Sequence, residues 1–90
     1  MTVRRRYVFT GWVQGVGLRW RARQAAQLFG CTGWIRNEYD GSVTMEIQGG
    51  SEAIGQVILA IERGSYIRIE SMDVKDLPAV KEERGFRTLY

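Results

Sequence analysis

The chain has 90 residues, a net charge of +3 and eleven arginines against two lysines, and a domain of this size buries somewhat over roughly 60% of the surface its unfolded form exposes. One two-layered core spanning residues 1–90 is therefore expected, and no stretch approaches the roughly 20 apolar residues that a membrane span requires. Met1-Thr2-Val3-Arg4-Arg5-Arg6 leads into no apolar signal segment, Cys31 has no second cysteine to pair with, and there is no histidine; this excludes an internal disulfide, a His–Cys metal set and an imidazole base, and it points to the cytoplasm.

Val3 to Val13 reads as a long central strand, with Tyr7, Phe9, Gly11 and Val13 on one face and Arg6, Val8, Thr10 and Trp12 on the other. Arg4-Arg5-Arg6 is expected to be solvated. Leu18, Ala22, Ala25 and Phe29 then recur at helical spacing, and Gly30 suits the position just past the helix end. Thr32–Asn37 and Ser42–Gln48 form a hairpin around Asp40-Gly41. Ser51 is the expected N-cap of a second helix carrying Ile54, Val57, Ile58 and Ile61, which ends near Arg63-Gly64.

Tyr66–Val74 reads as a fourth strand, with a bulge near Ser71-Met72. Pro78 breaks the chain, and Phe86–Tyr90 can add a short C-terminal fifth strand. The order β-α-β-β-α-β predicts an α+β ferredoxin-like sandwich, with two helices on one face of an antiparallel sheet. In such a unit the first two strands run parallel with a third between them. Their C-terminal ends share one edge, roughly 10 Å apart.

Two segments meet at that edge: Gly11-Trp12-Val13-Gln14-Gly15-Val16-Gly17-Leu18-Arg19 and Arg36-Asn37. Glycines let successive backbone N–H groups converge, and the open first turn of the following helix adds partial positive charge. Arg19 supplies a permanent charge with a planar fork of donors suited to phosphate oxygens. A cation at a helix N-terminus is unfavourable by itself, so its presence argues for a bound anion.

These residues carry a family resemblance. Gly11-x-Val13-Gln14-Gly15-Val16-Gly17-Leu18-Arg19, followed by Gly33-Trp34-Ile35-Arg36-Asn37-x-x-Asp40-Gly41-x-Val43, closely resembles the acylphosphatases, and the similarity runs over essentially the whole chain. The resemblance implies hydrolysis of the carboxyl–phosphate anhydride of acyl phosphates, with no metal, no cofactor and no covalent intermediate. It makes Arg19 the phosphate-binding catalytic arginine and Asn37 the residue that positions the attacking water. The amides of Gln14, Gly15, Val16, Gly17 and Leu18 would hold the phosphate. Leu18 stands where the family most often has Phe, and Ala22 where a threonine is common.

Acyl phosphates are already activated, so orientation and charge stabilisation matter more than a strong base, and the lack of histidine is no obstacle. Asn37 can orient a water but cannot take a proton near neutral pH. The expected partners are a small acyl phosphate and inorganic phosphate, with no nucleic acid, no membrane and a monomeric state. Three other readings are weaker. An RNA-binding module shares the element order and the basic balance, yet Val43, Met45 and Ile47 offer no stacking platform on the third strand. Acylphosphatase-like domains also occur inside a larger carbamoyltransferase. A regulatory domain that binds acyl phosphates without turnover would keep the same fold. Cys31, one residue short of a Cys-x5-Arg spacing to Arg36, reads as a small buried apolar residue.

Overall fold

A computed structural model describes residues 1–90. The elements are β1 (Thr2–Trp12), α1 (Leu18–Leu28), β2 (Thr32–Asn37), β3 (Val43–Gly50), α2 (Ser51–Glu62), β4 (Arg68–Leu77) and β5 (Phe86–Leu89). The five strands form one sheet in the order β4-β1-β3-β2-β5. Tyr7, Phe9, Ile35, Val43, Met45 and Ile47 bury one sheet face against Leu18, Ala22 and Ala26 of α1 and Ile54, Val57 and Ile61 of α2. The alternation read from the sequence therefore sets which face is covered. No helix is long and apolar enough to cross a membrane.

The sheet is mixed rather than antiparallel. β5 lies parallel to β2, with Gly33 opposite Phe86 and Ile35 opposite Thr88, while the other three pairings are antiparallel. The reason lies in the segment between β4 and β5, which starts at one edge of the sheet and ends at the other. It is fastened to the open face on the way. The Gln48 amide pairs with the backbone of Val80, and Glu83 accepts hydrogen bonds from Arg4 and Thr32.

Arg4 is accordingly not solvated. It is only 3% exposed, and its guanidinium donates to Glu46 at 3.0 Å, to Gln48 at 3.3 Å and to both oxygens of Glu83 at 2.8 and 3.1 Å. Burial disfavours the charged carboxylate of Glu83, but the hydrogen bonds from Arg4 and Thr32 outweigh it and hold that carboxyl below the usual range.

Several boundaries also differ from the sequence reading. β4 runs on to Leu77, where Pro78 can no longer donate to the ladder, and it starts late because Ile67 N–H closes a turn onto Gly64. The bulge lies at Glu70: Thr10 faces Ser71 and Gly11 faces Ile69, which leaves Glu70 extra. A Cβ on Gly11 would sit 2.4 Å from the Arg68 carbonyl oxygen, so only glycine fits opposite the bulge. α2 is capped by Gly50 rather than Ser51, without a side-chain cap. Phe29 lies at the C-cap of α1, largely off the core. As expected, Gly30 follows it with φ 71°. Bonds from Gly30 N–H to Gln27 and from Cys31 N–H to Ala26 close the helix end.

Candidate active site

The loop from Val13 to Gly17 leaves β1 at the point where the sheet stops and α1 starts. Gly15 and Gly17 take positive φ values of 70° and 81°, which turn the backbone where a residue with a Cβ would be strained. Gly17 is the N-cap of α1, so no side chain caps the helix, and its first turn contains no acidic residue. The leading N–H groups of α1 are thus left without the usual internal partners, at the positive end of the helix dipole.

Gln14 fixes the loop from the other side. Its Nε2 donates to the carbonyls of Glu38 at 2.7 Å and Ser42 at 2.9 Å, the two residues that flank the tip of the β2–β3 hairpin. Glu38 N–H also bonds to the Ser42 carbonyl at 2.8 Å, and Asp40 Oδ1 accepts from the Ser42 N–H and hydroxyl at 2.9 and 2.6 Å. Those two bonds hold the Asp40 carboxyl below its ordinary range. Glu38 is held low in the same way, first by Arg36 and then by Thr44. The turn beside Asn37 is thereby pinned at both ends.

Val13, Gly15, Gly17, Leu18, Arg19, Trp20 and Asn37 line one pocket of about 160 Å³. Five of the seven residues expected at the site are among them: Gly15, Gly17, Leu18, Arg19 and Asn37. Gln14 and Val16 do not line it; the Gln14 side chain is turned to the hairpin, and Val16 packs against the core. Val13 and Trp20 were not expected in the lining. Trp20 had a signal in the sequence, a large apolar residue directly after Arg19 in the first helical turn, whereas Val13 reads only as a strand residue.

Arg19 pairs with no carboxylate, since the ion pairs of the structure use Arg4, Arg5 and Arg36. Its guanidinium lies 5.4 Å from the centroid of the Tyr90 ring. Across the pocket, Asn37 Oδ1 is buried and accepts no hydrogen bond. An unpaired buried acceptor costs about 1–3 kcal/mol, so Asn37 keeps an unsatisfied amide oxygen while Arg19 keeps an uncommitted charge. The open-face positions of β3 are Thr44, Glu46 and Gln48, opposite Val8, Arg6 and Arg4, with no aromatic residue among them.

A ferredoxin-like sandwich whose first loop and second strand converge on an unpaired arginine is the frame of a small anion-handling domain. The comparisons give the family. The family model described as Acylphosphatase matches residues 5–88. An acylphosphatase of Salinibacter ruber is 43% identical over 79 residues, covering 87% of this chain and 83% of its own. One from Oceanobacillus iheyensis is 39% identical, covering 89% and 90%. Among solved structures, the acylphosphatase from Bacillus subtilis superposes with a TM-score of 0.89 at 25% identity over the whole of both chains. Full-length HypF in the phosphate- and nucleotide-bound form gives 0.88 at 26% identity, this chain matching 12% of it. The chain belongs to the acylphosphatase family, whose reaction is the hydrolysis of acyl phosphates.

Proposed function

We propose that Arg19 and the amides of residues 14–18 hold the phosphoryl group of an acyl phosphate while Asn37 orders the water that attacks it. The Asn37 side-chain amide hydrogen-bonds that water and directs its lone pair at phosphorus. A new P–O bond forms to the water as the P–O bond to the acyl group breaks. The carboxylate leaves with the electron pair, and the water's proton passes to a phosphate oxygen. Arg19 and the helix amides stabilise the charge that develops on the phosphoryl oxygens.

The observation that carries this reading is that Asn37 lines one small pocket together with an arginine that has no carboxylate partner. With no histidine in the chain, the rate should show no titration by an enzyme group with a pKa of about 6–8. The same reading places the protein in the cytoplasm as a monomer acting without a metal.

The test is loss of benzoyl phosphate with a chelator present, for the wild type, Arg19→Ala and Asn37→Ala. Turnover should fall by more than the roughly 10²- to 10³-fold typical of one lost transition-state donor in Arg19→Ala, because a full charge goes, and by about that range in Asn37→Ala. Inorganic phosphate should still raise the melting temperature of Asn37→Ala but not of Arg19→Ala. Wild-type turnover that depends on added metal, or that survives in Arg19→Ala, would overturn the mechanism. Phosphate binding without turnover would leave a binding domain.

A further inference from the structure

A pocket of about 160 Å³ has room for a phosphoryl group and a water but for little of the acid attached to them, given that one water occupies roughly 30 Å³. The acyl group must lie beyond it. Trp20 shows where. It lines the phosphate pocket and also a second groove of about 360 Å³ between α1 and α2.

Along that groove Trp20, Gln24 and Leu28 follow at intervals of four residues, one row on the helix surface about 12 Å long. Phe29 closes the far end, and Ala25 and Ala60 keep the floor low. Trp20 is 66% and Leu28 77% exposed, two apolar contacts separated by the Gln24 amide in a row that begins at the active site. The one charged lining residue, Arg21, is committed through Nε to the Ala60 carbonyl. Apart from the Gln24 amide, the groove therefore presents hydrocarbon to whatever lies in it.

The direction of displacement selects this groove over its neighbour. In an in-line reaction the leaving group departs on the side opposite the attacking water. The water belongs to Asn37, at the end of β2, while Trp20 stands on the flank of α1 that faces α2. A second opening, lined by Arg36, Asn37, Glu38, Tyr39 and Tyr90, lies on the side of the nucleophile and carries the Arg36–Glu38 ion pair, which suits entry of water.

We propose that the α1–α2 groove is the acyl subsite, with Trp20 as its inner wall and Leu28 as its outer contact, and that it selects acyl phosphates bearing an aromatic or extended aliphatic acid. This rests on the reaction assigned above. Each methylene that enters the groove should raise kcat/KM by roughly two- to fourfold, so octanoyl phosphate should exceed acetyl phosphate by at least tenfold.

Two measurements test it. The first is kcat/KM for acetyl and octanoyl phosphate in the wild type and in Leu28→Gln, a change at an exposed position that keeps a good helix former. The preference for octanoyl phosphate should shrink at least threefold in the variant while acetyl phosphate activity stays within twofold. Equal rates on both substrates in the wild type, or an undiminished preference in the variant, would overturn the subsite. The second is an NMR titration of the wild type with a non-hydrolysable octanoyl phosphonate. Shifts of the Trp20, Gln24 and Leu28 amides support the groove; shifts confined to the 14–19 loop, or none, refute it. If no acyl phosphate is turned over, the reaction assignment fails, and the titration still decides the groove.

Discussion

Replacing Asn37 with leucine should make this protein more stable and nearly inactive. The two side chains have similar shapes, and the structure leaves Asn37 Oδ1 buried without a donor. A buried unpaired acceptor costs about 1–3 kcal/mol, and the substitution removes it at the expense of whatever the amide nitrogen contributes, so a net gain of about 1 kcal/mol is expected. For a domain of this length that gain raises the melting temperature by roughly 4–8 °C. Turnover should fall by about 10²- to 10³-fold, because the group that orders the water is gone. Thermal unfolding followed by circular dichroism, run beside benzoyl phosphate hydrolysis on the same preparation, reads both quantities. Destabilisation by more than about 1 kcal/mol with turnover inside tenfold of wild type would refute the reasoning, since Asn37 would then be a structural residue whose unpaired oxygen has no bearing on the reaction.

Arg4→Met should cost about 3–5 kcal/mol in urea unfolding, because it strands the carboxylates of Glu46 and Glu83 that now share one buried guanidinium. Arg5→Met, whose partner Asp76 is 89% exposed, should stay within about 1 kcal/mol by the same assay. Gly33→Ala should cost about 4 kcal/mol or more, since its Cβ would stand 1.9 Å from the Glu46 carbonyl oxygen. Gly15→Ala meets no atom within 4 Å, and its cost should be the roughly 1–2 kcal/mol of left-handed backbone alone. Stability should be flat between about pH 5 and 8, where no side chain with an ordinary pKa titrates. Glu38, Asp40 and Glu83 all have lowered pKa values, so the stability they add is complete above the unfolded-state values near 4 and is lost as pH falls through the lower folded ones. The buried Cys31 thiol is shifted upward; its contribution is present below about pH 8.5 and declines as pH rises through the higher folded value. Denaturant midpoints across the pH range check both limbs.

The parts of this molecule that could be read in advance are those whose residues have few alternatives. Alternation along β1, β2 and β3 fixes the covered face, Asp40-Gly41 fixes the hairpin, and the order of elements brings Arg19 and Asn37 to one edge. The rest depended on partners far away in the chain. Arg4 reads as solvated because its carboxylate partners lie 42 and 79 positions later, and no local pattern announces a buried ion cluster. The parallel setting of β5 depends on how the preceding segment is fastened across the sheet. Gln14 looks like one more loop residue, since a single amide side chain carries no periodicity to show that it bonds to the hairpin. The cap of α2 moved by one position from Ser51 to Gly50, where the choice between a glycine and a serine cap is decided by the chain leading in, and Phe29 left the apolar stripe because it stands at the C-cap of α1.

The Gln14 amide has a consequence for how the site fails. A glycine-containing loop left to itself opens locally at little cost, well before the protein unfolds. Here Gln14 is bonded to both flanks of the turn that follows Asn37, so the loop cannot open without releasing the hairpin, and the hairpin supplies two of the five strands of the sheet. The loop amides should then exchange with solvent at the rate of the hairpin's own ladder. Heat would abolish phosphate binding and the fold in one event, with no partly open, inactive species in between.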